Sequence, residues 1–81
     1  MMQIDDYYRN RNCGLQINDI VMAEILEWRL YKLHLVIIEN WPQYSAILIV
    51  YNKKIYFKKQ KIRVKVIRID GLFVDVVPFN D

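Results

Sequence analysis

The stretch Lys61–Val77, KIRVKVIRIDGLFVDVV, sets two runs of alternating character on either side of Asp70-Gly71. In the first run Ile62, Val64 and Val66 fall on one face and Lys61, Arg63 and Lys65 on the other, the period of two of a half-buried strand. Asp-Gly between two such runs is a strong hairpin signal, because a type I′ turn needs positive φ at both central residues and these residue types tolerate it. The pattern predicts a C-terminal β-hairpin turning at Asp70-Gly71. Ile62, Val64, Val66, Leu72, Val74 and Val76 then face a core, and Phe73 and Asp75, out of phase with them, face outward.

The rest of the chain has to supply the surface against which that hairpin is buried. With 81 residues it makes one small domain, and its 54% apolar content offsets the modest burial open to a chain of this size. Cys13 is the sole cysteine, so neither an internal disulfide nor a Cys/His zinc site is available as a staple, and a reducing compartment is expected. The opening MMQIDDYYRNRNCG has no apolar core of a secretory signal. No apolar run approaches the roughly 20 residues of a membrane helix, so a soluble protein is expected, with no membrane partner. The net charge of +3 conceals an asymmetry: eight basic and no acidic residues lie between Lys53 and Arg68, whereas six of the nine carboxylates precede Asn40. One side of the molecule should be positive.

Residues 1–14 read as a flexible lead-in and residues 15–79 as the folded domain. Leu15–Trp28 is ambiguous on its residues alone. Met22, Ala23, Glu24, Leu26 and Glu27 favour a helix that Asn18 could cap, while a strand would turn Val21, Ala23 and Ile25 inward and Met22, Glu24 and Leu26 outward. Arg29–Ile38 reads as a strand with Tyr31, Leu33, Leu35 and Ile37 on one face and Lys32 and His34 on the other, which points the single histidine to solvent. Asn40–Pro42 is a turn signal, and Tyr44–Tyr51 is a strand apolar on both faces and therefore central. Pro42 and Pro78 sit at strand ends, where no interior ladder bond is lost. Four or five strands in so short a chain predict a small closed or nearly closed barrel, since closure removes exposed sheet edges.

Two stretches go further. Ile17-Asn-Asp-Ile-Val-Met-Ala-Glu-Ile25 resembles the opening strand of the S1-type OB domain, a Gly-Asp-aliphatic-Val start, and Lys61–Asp70 resembles its fourth strand. The resemblance resolves the ambiguous Leu15–Trp28 segment toward strand and implies an all-β, five-stranded S1-type OB barrel. More narrowly, Glu39-Asn-Trp-Pro-Gln-Tyr-Ser-Ala-Ile-Leu48 and Val66–Val76 resemble the poxvirus proteins that imitate the S1-type domain of the α subunit of eukaryotic translation initiation factor two. Those proteins are pseudosubstrate inhibitors of the host kinase activated by double-stranded RNA.

What the resemblance implies is a non-phosphorylatable mimic in the host cytoplasm, a cofactor-free monomer whose partner is that kinase's catalytic domain. The family carries a Lys-Gly-Tyr-Ile-Asp-like sequence on its last strand. Here Phe73 stands for the aromatic, Val74 for the aliphatic and Asp75 for the acid, while the Lys and Gly have no counterpart. Kinase docking is thereby implied for Tyr44, Phe73, Val74 and Asp75, with Lys65 and Arg68 on the neighbouring strand supplying charge. The interval from Ile49 to Gln60 is shorter than the family's insert and holds no Ser or Thr; Ser45, in the strand, is the only hydroxyl amino acid of either kind.

A second reading is a module binding RNA or single-stranded nucleic acid. Lys53, Lys54, Tyr56, Phe57, Lys58, Lys59 and Lys61 interleave bases with aromatics as a stacking groove would. One His, one Cys, no metal-ligand spacing and no phosphate-cradling glycine loop leave no catalytic centre, so no enzyme is expected.

Overall fold

The computed structural model describes residues 14–27, 33–51 and 54–79. Five strands follow in chain order: β1 Ile20–Glu27, β2 Leu33–Ile38, β3 Ser45–Ile49, β4 Lys61–Asp70 and β5 Phe73–Pro78. They close into a barrel in the order β1-β2-β3-β5-β4, with β4 returning to β1. β3 and β5 run parallel and every other neighbouring pair is antiparallel. This is the S1-type OB barrel expected from the sequence. The lead-in before Gly14, residues 28–32, Asn52, Lys53 and the last two residues lie outside the described residues.

Residues 20–27 are strand throughout, with Ala23 and Ile25 fully buried and Met22 and Leu26 exposed. Helix propensity loses here because the alternation lets each second residue enter the core, which a short strand in a closed sheet rewards more than local preference does. Asn18 stands where the S1-type start carries Gly, and its φ of 78° shows why the position is restricted: asparagine is among the few non-glycine residues that enter the left-handed region readily. Its N–H donates to the Val66 carbonyl (2.7 Å), and the Val66 N–H donates to the Asp19 carbonyl (2.9 Å). Both bonds join the start of β1 to β4.

The core takes one face of each strand: Ala23 and Ile25, Val36 and Ile38, Ala46 and Leu48, Val64 and Val66, Val74 and Val76. Leu15, Val50 and Tyr56 complete it from outside the strands.

Three expectations are corrected. The hairpin pairs Asp70 with Phe73, so its two turn residues are Gly71 and Leu72. Gly71 has φ 62° and Leu72 is not in the left-handed region, the pattern of a type II′ turn, in which glycine takes the first central place. Leu72 therefore sits on the turn, exposed, and not in the core. The faces of β2 are reversed: His34, Val36 and Ile38 are buried, and Leu33 is exposed. Both faces of that strand are aliphatic, so the expected orientation rested on Lys32, before the strand, and His34, and His34 turns inward to an edge-on contact with the ring of Tyr56 (centroids 6.4 Å apart). Tyr56 is itself buried, although its chain segment is an irregular connection.

Candidate functional site

The turn at Gly71-Leu72 sets the phase of β5. Phe73, the first residue after it, points outward and is 69% exposed, while Val74 points inward and Asp75 outward again. The Ser45 N–H donates to the Leu72 carbonyl (2.7 Å), tying the turn to the start of β3, and Ser45 then stands beside Phe73 in the parallel ladder.

β4 supplies the charge through an irregularity. Strict alternation from Val64 and Val66 would send Arg68 inward, but the register shifts between Val66 and Arg68. At this bulge Ile67 and Arg68 are both exposed, and Ile69 returns to pack on the core. Arg68 is thereby set opposite Asp75, its guanidinium 3.7 Å from the Asp75 carboxylate and 3.9 Å from that of Asp70. The three charged side chains and Phe73 line one shallow recess of about 100 Å³. The contacts are long and exposed to solvent, so they add little to stability. Their consequence is orientation: the acid on β5 is held beside an exposed aromatic.

Not every residue named from the sequence reaches this surface. Val74 is 1% exposed and sealed in the core, so it fixes the outward direction of its neighbours and offers nothing to a partner. Tyr44 is half-buried, has the inward parity of Ala46 and Leu48, and packs on the core and edge-on to Trp41 (6.3 Å). It is a packing residue and not an outward anchor. Lys65 stands opposite Val77 on the outer face, two ladder positions along from the Arg68–Asp75 pair and outside the recess. Two residues join the surface that sequence reasoning left out of it: Asp70, which lines the recess, and Leu72, exposed on the adjoining turn. The signal for Leu72 was present in Gly71, the residue that a II′ turn places first.

The basic-aromatic stretch does not form the row its sequence suggested. Lys53 lies outside the described residues, and Tyr56 is 3% exposed, which removes it as a stacking platform. Lys54, Phe57, Lys58 and Lys59 are exposed. Lys58 and Lys59 form a turn with Lys59 at φ 70°; the Lys59 N–H donates to the Ile25 carbonyl and the Phe57 N–H to the Gln60 side-chain oxygen (2.8 Å). Burial lowers the pKa of His34, an effect partly opposed by a hydrogen bond to the backbone of Leu33, so the imidazole is a neutral core group. Among the described residues no group of three or more His, Cys, Asp or Glu could hold a metal ion.

No protein-family model matches the chain, and no curated protein matches it in sequence. Solved structures match its fold. A vaccinia virus protein (Wisconsin strain) of known crystal structure superposes with a TM-score of 0.64 at 18% identity, covering 85% of this chain and 94% of that one. A myxoma virus protein whose structure was solved in solution superposes with a TM-score of 0.58 at 20% identity, covering 93% of this chain and 80% of that one. At such identities the likeness establishes a shared barrel fold, and both proteins come from poxviruses.

Proposed function

We propose that this chain is a viral mimic of the S1-type domain of the translation initiation factor two α subunit. In this reading it occupies the docking site of the host kinase activated by double-stranded RNA and preserves translation. The observation that carries the reading is the outward Phe73–Asp75 pair on the last strand of the barrel, beside Arg68; the sequence resemblance is what aligns these residues with the family's aromatic-aliphatic-acid sequence. The barrel shared with two poxvirus proteins supports it independently.

Physically the surface suits docking. An exposed aromatic beside a charged cluster combines an anchor that loses much hydration on contact with groups that fix orientation. Ser45, the one hydroxyl amino acid of the Ser/Thr type, sits within β3 with its backbone N–H bonded to Leu72, so phosphoryl transfer would need the strand to leave the sheet. The mimic can bind and cannot be turned over.

Steady-state assays of kinase action on the initiation factor α subunit test this. Inhibition should be competitive, relieved by added α subunit, and the chain should acquire no phosphate. Inhibition that persists at saturating α subunit, or phosphate incorporated at Ser45, would refute the reading.

A further inference from the structure

On another side of the barrel the chain builds a larger groove of about 530 Å³, within the roughly 300–1,000 Å³ typical of ligand sites. Its position follows from the β1–β4 ladder. Met22 lies opposite Arg63, and Lys61 and Arg63 share the outward phase of β4. After β5 the Phe79 N–H donates to the Arg63 carbonyl (2.9 Å), which lays Phe79 along the same strand. Tyr51 and Lys54, on the connection from β3 to β4, form another part of the lining.

The lining has two kinds of surface. Met22, Ile62 and Pro78 are aliphatic, and Tyr51 (65% exposed) and Phe79 (39%) offer aromatic rings. The charged residues that line it, Lys54, Lys61 and Arg63, are all cations. Lys61 is also paired with Glu39 at 3.2 Å, but both side chains are largely solvated and such a pair exchanges readily for another anion.

We infer that this groove binds single-stranded nucleic acid, with unpaired bases stacking on Tyr51 and Phe79 and phosphates meeting Lys54, Lys61 and Arg63. Aromatic rings beside cations fit a base next to its phosphate; an acidic peptide would satisfy the cations and leave the rings without a planar partner. The site is not the β2–β3 face by which OB barrels commonly hold oligonucleotides, because among the described residues that face presents Leu33, Leu35, Ile37, Ile47 and Ile49 and no cation. The inference is independent of the kinase reading.

The test is fluorescence-anisotropy titration of the full chain with labelled single-stranded RNA of about 10 nucleotides, a length within the range of OB-type sites. Binding should weaken by about 5- to 100-fold in Tyr51→Ala and in Phe79→Ala, with folding confirmed by circular dichroism. Replacing Lys61 or Arg63 by Ala should reduce the slope of log affinity against log salt by about 1. No binding at low salt, affinity unchanged from the parent in both aromatic variants, equally good competition by a poly-glutamate peptide, or AMP binding as tightly as the strand would each overturn the proposal.

Discussion

Arg68 faces Asp75 across β4 and β5 at 3.7 Å because one extra residue, Ile67, is inserted before it. Without that bulge the guanidinium would point into an aliphatic core, where an unpaired charge costs several kcal/mol. The bulge therefore converts a misplaced arginine into the group that orients the acid beside Phe73.

Arg68→Ala should separate stability from docking. The pair is exposed, so urea unfolding should shift by less than about 1 kcal/mol. Kinase inhibition should nevertheless fall, since Asp75 loses its orienting partner. Unchanged inhibition would show that the recess does not depend on the arginine.

Phe73 and Val74 are neighbours with opposite fates. Val74→Ala removes buried methyl groups and should cost about 2 kcal/mol in chemical denaturation, in the range of large-to-small core changes. Phe73→Ala, at an exposed position, should stay within about 0.5 kcal/mol of the parent. Comparable losses in both would contradict the phase assigned to β5.

Gly71→Ala tests the turn. A Cβ there meets nothing within 4 Å, so the penalty is purely conformational, about 1–2 kcal/mol for an L-residue at φ 62°. Gly71→Asn should lose less. Equal stability of the alanine variant and the parent would exclude the positive-φ turn.

His34 should make the fold sensitive to mild acid. Burial lowers its pKa from the ordinary 6.5, so the unfolded chain binds the proton more readily than the folded one. This contribution is fully present above pH 6.5 and is lost as the pH falls through the lower, folded value. Unfolding free energies measured from neutral pH downward should therefore decline in the parent and decline less in His34→Phe, where no imidazole has to be protonated. Parallel curves would show that His34 is not the group involved.

The barrel was legible because alternation in Lys61–Asp70 and the glycine after it are local signals, and because the S1-type resemblance decided β1 where propensity and pattern disagreed. What was not legible depends on partners distant in the chain. The bulge at Ile67 is a property of pairing between β4 and β5, and within KIRVKVIRID only the break of phase at Val66-Ile67, which gives Arg68 the parity of the core residues, marks it. His34 faces inward because Tyr56, from a connection without regular structure, meets it in the core, and the same contact withdraws Tyr56 from the basic patch. Of the residues proposed for docking, Phe73 and Asp75 could be oriented by counting from the turn. Tyr44 and Val74 were carried by resemblance, although the same count already places Val74 inside.

The most direct measurement is a titration of kinase activity toward the initiation factor α subunit with the parent chain, Phe73→Ala and Asp75→Ala, each verified as folded. If the outward aromatic-acid pair is the docking anchor, Phe73→Ala should weaken inhibition by about 30-fold or more, the effect of losing an interface hot spot, and Asp75→Ala should weaken it as well. Full inhibition by both folded variants would contradict the account.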